Sequence, residues 1–255
     1  MIKSLTFLSE RLMKSPTTYS HDPLHNHLLS VLPHGEWQHL QPFLEAVELR
    51  AGQVLFEAGR TPTYVYFPTS CVVSLVYMTL DAETAEVAVV GNEGVVGVSL
   101  FMGGDVAPHE AIVQGAGMAY RLSAQAVKRV LELSNASMKL MLNYTHTMLS
   151  QVSQTVVCNR YHSIDQQLSR RLLQGLDRAS SNELLMTQEG MASLLGVRRE
   201  GVTAAALKLQ HEGAIQYSRG HIVVHDRQWL EKHACECYAF SKKAYFKLLP
   251  LPLAA

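Results

Sequence analysis

The chain has 255 residues, of which 47% are hydrophobic and 17% are charged. This is enough apolar material for one large core or two ordinary ones. The sequence has neither a run of about 18 apolar residues nor the pattern of a signal peptide. These absences argue against membrane and secreted proteins, and we expect a soluble cytoplasmic protein without a membrane partner.

Charge is divided unevenly along the chain, although the formal net charge is zero. Residues 1–159 carry 9 Lys or Arg against 13 Asp or Glu, and residues 160–255 carry 13 against 9. The two parts therefore have net charges of −4 and +4. This division predicts an acidic N-terminal part and a basic C-terminal part with different partners.

The first part of the chain reads as a flexible N-terminus followed by a β-rich domain. Residues 1–22 are polar and predicted to be flexible, and residues 24–46 contain short helices broken by prolines. From 47 to 122, short β-rich segments alternate with glycine and proline at roughly ten-residue spacing. We predict a β-sandwich or roll, in a domain that spans residues 23–134 with its flanking helices.

A long helix and hinge are predicted for residues 135–161, where glycine and proline are absent and helical periodicity continues. One stripe recurs at alternating steps of three and four, as in helices that pair with a partner helix: Met138, Met141, Thr145, Met148, Val152 and Thr155. A second stripe repeats every seven residues: Leu142, Leu149 and Val156. Two stripes favour a helix that packs on its own domain and on a second copy, so all nine residues are assigned to a dimer interface. An ordinary buried helix is the alternative.

The stretch LLGVRREGVTAAALKL has the pattern of a helix-turn-helix. Gly196 would form the turn, small and apolar residues would pack between the helices, and charges crowd the first turn of the second helix. That turn enters the major groove in such motifs, where Arg198 or Arg199 can bind guanine and Glu200 can accept from cytosine. A solvated charged helix start is the alternative. Gly201 is expected to weaken this turn by about 1 kcal/mol relative to alanine.

The last predicted domain spans residues 162–255 and adds a β-hairpin wing and a helical tail to this motif. Phosphate contacts position a protein on DNA without reading its sequence, and helix N-termini offer amides to phosphate. The predicted DNA-binding residues are Thr187, Gln188, Arg198, Arg199, Glu200, Thr203, Lys208, Ser218, Arg219 and His221.

The order of β-roll, long helix and winged helix-turn-helix resembles the Crp/Fnr transcription regulators, the cyclic-AMP receptor protein family, over roughly residues 25–225. The motif that carries the resemblance is TQEGMASLLGVRREGVT, followed by YSRGHIVV. The resemblance implies an α+β fold with a cyclic-nucleotide-binding-like jelly roll, a dimerisation helix and a C-terminal winged helix-turn-helix.

The resemblance also implies a homodimeric, sequence-specific regulator on a near-palindromic site in double-stranded DNA, and it admits RNA polymerase as a further partner. By position, Arg199 and Glu200 match the family's base-reading arginine and glutamate. Ala204 falls where the cyclic-AMP receptor protein has a second base-reading arginine. The operator of that protein is therefore not expected here.

Residues 91–114 resemble the family's nucleotide-binding loop but differ at the residues that bind the nucleotide. The family's Gly-Glu pair aligns with Gly97 and Val98, so valine stands in place of the glutamate. The position of the family's phosphate-binding arginine falls near His109 in this chain. The stretch contains no Lys or Arg, whereas a cyclic phosphate needs positive charge or converging amides. We predict that cyclic AMP does not bind in the usual way, and we assign the effector pocket to Val98, Ser99 and His109.

Other classes of function have weaker support. A cyclic-nucleotide-binding module that regulates an enzyme is disfavoured by the missing arginine. A metal or redox sensor would use His233, Cys235 and Cys237, but a fourth ligand is not obvious, and Cys158 is interpreted as a small buried hydrophobe. No cysteine precedes Cys71, which argues against the N-terminal iron–sulfur cluster of some family members.

Catalytic and cofactor motifs are absent from the sequence. Neither G-x-S-x-G nor the phosphate loop G-x-x-x-x-G-K occurs. The N-terminal histidines are spaced awkwardly for one shared ion. We therefore expect no enzyme, no cofactor and no bound metal.

Overall fold

The computed structural model describes residues 22–81, 84–104, 106–178 and 181–249. The fold is α+β: a β domain is followed by one long helix and by a helical domain with a small sheet. The N-terminus that we expected to be flexible lies almost entirely outside the described residues. No helix in the described part is long and apolar enough to cross a bilayer.

Within the described residues, the N-terminal domain contains short α-helices, seven strands and a further α-helix. The helices before the strands are α1 (His27–Ser30) and α2 (His34–Leu40). The strands are β1 (Glu45–Leu49), β2 (Val54–Phe56), β3 (Tyr64–Pro68), β4 (Val72–Met78), β5 (Thr84–Val90), β6 (Glu110–Gly115) and β7 (Gly117–Ser123). They pair antiparallel in two sheets, with orders β1-β7-β3 and β2-β6-β4-β5. Side chains of both sheets meet in one core, which confirms the predicted β domain.

Two helices follow the sheets, α3 (Ala124–Leu133) and the long α4 (Asn135–Tyr161). Ser134 separates them and caps α4, because its hydroxyl accepts a hydrogen bond of 3.0 Å from the amide of Ser137. Side-chain caps satisfy amides that have no partner within the helix. The predicted long helix is confirmed.

The two stripes of α4 lie in different environments. Met141 and Met148 are only 4% and 8% exposed and belong to the core of the β domain. Their stripe neighbours are half-buried: Met138, Thr145, Val152 and Thr155. Leu142, Leu149 and Val156 are 53%, 62% and 66% exposed. Because its own domain already buries much of the first stripe, the second stripe is the apolar face that α4 leaves to solvent.

Five helices and three strands are described in the C-terminal part of the chain: α5 (Ile164–Leu176), β8 (Glu183–Leu185), α6 (Gln188–Leu195), α7 (Arg199–His211), β9 (Ile215–Ser218), β10 (His221–Val224), α8 (Arg227–His233) and α9 (Cys237–Leu248). Its antiparallel sheet has the order β8-β10-β9, so the predicted hairpin gains a third strand. Leu168 and Leu172 of α5 pack with Val202 and Leu209 of α7 in the core.

Two ion pairs join α5 and the residues after it to the β domain. Arg171 Nε lies 2.7 Å from Glu86 Oε1, and its Nη2 donates to Glu86 Oε2 at 3.0 Å. These side chains are only 3% and 8% exposed, and Ser74 donates its hydroxyl to the same carboxylate. Arg178 Nη2 lies 2.6 Å from Glu93 Oε1. The C-terminal domain is therefore docked on the β domain through paired charges.

We expect Glu86→Gln to lower the free energy of unfolding by about 3–5 kcal/mol, because it leaves the buried Arg171 charge unpaired. Glu45→Gln is the matched control, since Glu45 pairs with Arg121 at 2.8 Å while both side chains remain partly exposed. The control should lose less than about 1 kcal/mol. Denaturant unfolding followed by circular dichroism measures both. Equal losses in the two variants would contradict the special role of the buried pair.

Candidate nucleic-acid interface

The turn between α6 and α7 is built around Gly196. Its φ of 64° lies in the left-handed region that favours glycine. The amide of Val197 donates to the carbonyl of Ala192 at 3.1 Å and closes the turn. Ala192 is also buried, where a larger side chain would separate the helices. Sequence and geometry therefore agree on the position of the turn.

The first turn of α7 presents three charged side chains to solvent. Arg198 is the N-cap residue, and Arg198, Arg199 and Glu200 are all exposed. The Arg199 guanidinium lies 3.9 Å from Glu189, but both side chains are mostly exposed. Such a pair contributes little and leaves the arginine free to exchange partners. Thr203 donates to Gln188 Oε1 and to the carbonyl of Arg199, each at 3.0 Å.

Gly201 has a packing role that the sequence did not reveal. A Cβ atom at this position would lie 2.6 Å from Ile164 Cδ1 of α5. Gly201 therefore lies against the end of the Ile164 side chain, which would have to move to admit a Cβ atom. Glycine lowers the helix propensity of this turn relative to alanine, and it does so at a position that is closely packed against α5.

The predicted wing lies beside the start of α6. Arg219 is at its tip with a φ of 48°, and Ser218 and Arg219 are exposed while His221 is half-buried. The carbonyl of Gly220 accepts a hydrogen bond of 2.8 Å from the amide of Met186. The structure thus brings the wing tip to the residue that precedes Thr187.

Thr187 and Gln188 form hydrogen bonds at the start of α6. The hydroxyl of Thr187 accepts from the amide of Gly190 at 3.0 Å and so caps α6. The amide of Gln188 donates to the hydroxyl of Tyr217 at 3.1 Å. These bonds fix the start of α6 against the wing.

Lys208 lies apart from the other predicted contact residues. It is about 13 Å further along α7 than Arg199, at the usual rise per residue. Its ammonium group forms an ion pair with Asp165 of α5, and this hydrogen bond raises the pKa of Lys208. The structure therefore groups Lys208 with α5 and not with the charged first turn of α7, which we call the recognition turn (residues 198–201).

The residues assigned to an effector pocket lie in two segments of the β domain. Val98 is buried and Ser99 half-buried in a 3₁₀ turn (Val98–Leu100), which follows Gly97 at a φ of 99°. The His109 ring packs near Phe56, with 6.3 Å between ring centroids, and burial lowers the pKa of His109. The carboxylate of Glu93 in the same stretch is paired with Arg178, which lies outside it.

The three residues of the metal-binding alternative, His233, Cys235 and Cys237, have different neighbours in the structure. His233 stacks on Trp229 with 3.6 Å between ring centroids, and its Nδ1 lies 2.8 Å from the carbonyl of Trp229. Cys235 and Cys237 instead lie beside Cys158 and His162. The i, i+4 spacing of the latter two was the available signal, and it was missed because the tail is far away along the chain.

Comparison with protein families now identifies the two domains. Residues 166–233 match the Crp-like helix-turn-helix domain, and residues 46–134 match the cyclic nucleotide-binding domain. The two matches together cover more than half of the chain. The chain belongs to the Crp/Fnr family. Proteins of this family are DNA-binding transcription regulators and not enzymes, in agreement with the sequence-based expectation.

Solved structures share the fold of this Crp/Fnr regulator at low sequence identity. A Crp/Fnr transcriptional regulator from Eubacterium rectale is 18% identical, with a TM-score of 0.65, over 82% of this chain and 98% of its own. FixK2 from Bradyrhizobium japonicum is 15% identical, with a TM-score of 0.64, over 75% and 98%. The cyclic-di-GMP-responsive regulator CLP from Xanthomonas campestris is 15% identical, with a TM-score of 0.60, over 76% and 100%. Comparison with curated proteins gives no match.

We expect His109→Gln to reduce the loss of stability on acidification. Because burial lowers the pKa of His109 below the usual 6.5, its contribution to stability is complete above that pH and is lost as the pH falls toward the lowered value. Denaturant unfolding between about pH 8 and pH 5 should show a flatter decline for the variant than for the parent.

The control for this experiment is His211→Gln, because the His211 side chain is 89% exposed. This variant should follow the pH dependence of the parent. If His109→Gln also followed the parent, the buried imidazole would not contribute to the pH dependence.

Proposed function

We propose that this Crp/Fnr regulator binds a near-palindromic DNA site as a homodimer and does not bind cyclic AMP in the usual way. The observation that carries the proposal is the exposed first turn of α7, with Arg198, Arg199 and Glu200 next to a closed helix turn. Arginine reads guanine and glutamate reads cytosine in the major groove. Contact with RNA polymerase and a cytoplasmic location remain predictions.

The wing and the start of α6 support contact with the DNA backbone. Ser218 and Arg219 are exposed at the wing tip, and Thr187 begins α6 beside them. Contacts of this kind fix the register of the recognition helix without specifying sequence. Base reading is assigned to α7 and backbone positioning to the wing.

Dimerisation through α4 is supported by its exposed stripe of Leu142, Leu149 and Val156. The residues are seven apart, so they lie on one side of the helix and suit pairing with the same stripe of a second copy. A twofold arrangement would place two recognition helices about one DNA turn apart. This arrangement explains why an approximate palindrome is expected.

The missing phosphate-binding charge supports an effector other than cyclic AMP, or none. Residues 91–114 contain no Lys or Arg, and the position after Gly97 is occupied by the buried Val98. The Xanthomonas regulator is described as responsive to cyclic di-GMP, so this combination of domains is compatible with other effectors. Selection of bound DNA from a random pool, with and without cell extract, tests operator symmetry and effector dependence together.

We expect Arg199→Ala to weaken binding to the selected site by about 1–3 kcal/mol and to relax the preference at one base pair of each half-site. Competition binding against every single-base variant of the site measures both effects. Arg60→Ala is the matched control, because Arg60 is exposed in the β domain. If Arg199→Ala bound all these sequences as the parent does, Arg199 would not read bases.

We expect Leu149→Glu to convert the dimer to monomers, because it places like charges opposite each other in the α4 stripe. Analytical ultracentrifugation of the full chain measures the association. Met102→Glu is the control, since Met102 is equally exposed (62%) but lies outside α4. A monomeric parent, or a dimer unaffected by Leu149→Glu, would contradict the proposed interface.

A further inference from the structure

We propose that Cys158, His162, Cys235 and Cys237 form a binding site for one Zn²⁺ ion, which fastens the C-terminal segment to the end of the long helix. The proposal goes beyond DNA binding and dimerisation and depends on neither. This set replaces the alternative of His233, Cys235 and Cys237, and its ligands come from two distant parts of the chain.

The distances between the four side chains suit a single ion. One ligand atom from each residue lies within 4.8 Å of all the others. Cys158 Sγ is 3.4 Å from Cys235 Sγ, and Cys237 Sγ is 3.4 Å from His162 Nδ1. Tetrahedral Zn²⁺ with metal–sulfur bonds of about 2.3 Å separates its ligand atoms by about 3.5–3.8 Å. Small adjustments of these side chains are sufficient to complete the coordination.

Local backbone structure places the ligands in two pairs. Cys158 lies in the last turn of α4 and His162 caps that helix, so i, i+4 spacing directs both side chains to one face. Cys235 and Cys237 lie on either side of Glu236, the N-cap residue of α9. Each pair belongs to a helix end, and the fold brings the two ends together.

Burial and charge favour thiolates bound to a metal ion. The three cysteines are 0%, 4% and 0% exposed, so isolated thiolates would be costly there. The Arg170 side chain, only 4% exposed, lies close enough to interact electrostatically with Cys158. Arg170 Nε has no hydrogen-bond partner among the described residues. Three thiolates with Zn²⁺ carry one net negative charge, which this arginine would balance.

Groups around the four ligands are arranged as around a metal site. His162 directs Nδ1 toward Cys237, while its Nε2 lies 3.3 Å from the Glu236 carboxylate. Histidines that bind metals commonly donate their second N–H to a carboxylate, which fixes the ring and its tautomer. Gln154 Nε2 donates to Cys237 Sγ at 3.0 Å. These contacts orient the ligands before the ion binds.

The ligand set selects zinc over other occupants. Three thiolates and one imidazole in tetrahedral array are a structural zinc donor set. The ligand atoms are too close together to surround a cluster of several iron atoms. A disulfide between Cys158 and Cys235 would leave the oriented pair of Cys237 and His162 without a shared ligand.

The ion would hold a segment that the family match does not include. The Crp-like domain match ends at residue 233, and the two tail cysteines follow it. From Cys237, α9 packs along α4, and Tyr245 donates to the carbonyl of Glu93 at 2.9 Å. Zinc would therefore stabilise the contact of α9 with both α4 and the β domain.

The first test uses the full chain, purified under reducing conditions, treated with chelator and reloaded with ZnCl₂. We expect one Zn²⁺ per chain by elemental analysis. Replacement by Co²⁺ should give the intense visible bands of tetrahedral thiolate coordination. Hydrogen exchange in α9 should slow when zinc is present. A reduced, folded parent that binds no stoichiometric Zn²⁺ would overturn the proposal.

Variants then identify the ligands. Cys158→Ser and Cys235→Ser should abolish stoichiometric binding, whereas Cys71→Ser and His233→Gln should retain it. Cys71 is the matched control because it is buried but lies outside the cluster. Loss of zinc in His233→Gln, with retention in Cys158→Ser, would overturn the assignment.

Glu236→Gln keeps the test decisive if a cysteine variant fails to fold, because the Glu236 side chain is 61% exposed. This change should lower zinc affinity by about 10–100-fold through the histidine it orients. Unchanged affinity would contradict that role. Mass spectrometry of the parent gives a further check, since a Cys158–Cys235 disulfide that persists under reducing conditions would contradict zinc binding.

Discussion

The buried ion pair between Arg171 and Glu86 determines where the DNA-binding domain lies on the β domain. The two buried charges neutralise each other, and Ser74 donates a further hydrogen bond to the carboxylate. Any shift of α5 away from β5 would leave both charges unpaired in a poorly solvated place. Since α7 packs on α5, the position of the recognition turn depends on this contact.

Strand β5, which carries Glu86, also contacts the helix-turn-helix. Thr84 of β5 forms a hydrogen bond with Ser193 of α6, and a Cβ atom at Gly196 would lie 3.8 Å from Ala85. The β4–β5 hairpin is therefore in contact with the turn that precedes the recognition helix. β5 and α6 are thus in contact at a place separate from the end of α4. This contact joins the β domain directly to the helix-turn-helix.

Local patterns predicted the elements well and the partners between distant elements poorly. The steps of three and four identified α4, and glycine at position 196 identified the helix turn, because both signals are local. Which stripe of α4 faces its own domain depends on the sheets, so Met141 and Met148 were assigned to the wrong environment. The same limitation hid the contact of Gly201 with Ile164. It also hid His162, which is 73 positions before Cys235 in the chain.

The net charge of +4 in residues 160–255 overstates the positive surface of the C-terminal domain. Two neighbouring arginines on α5 show why. Successive helix residues point in different directions, so Arg171 reaches the β domain while Arg170 faces α4 and contacts Thr155. Arg178 is likewise paired with Glu93. Three of the basic residues that give the C-terminal part its positive charge therefore hold the domains together. Exposed arginines, by contrast, lie in the first turn of α7 and at the wing tip, namely Arg198, Arg199 and Arg219. These are the residues on which the proposed electrostatic attraction to DNA would depend.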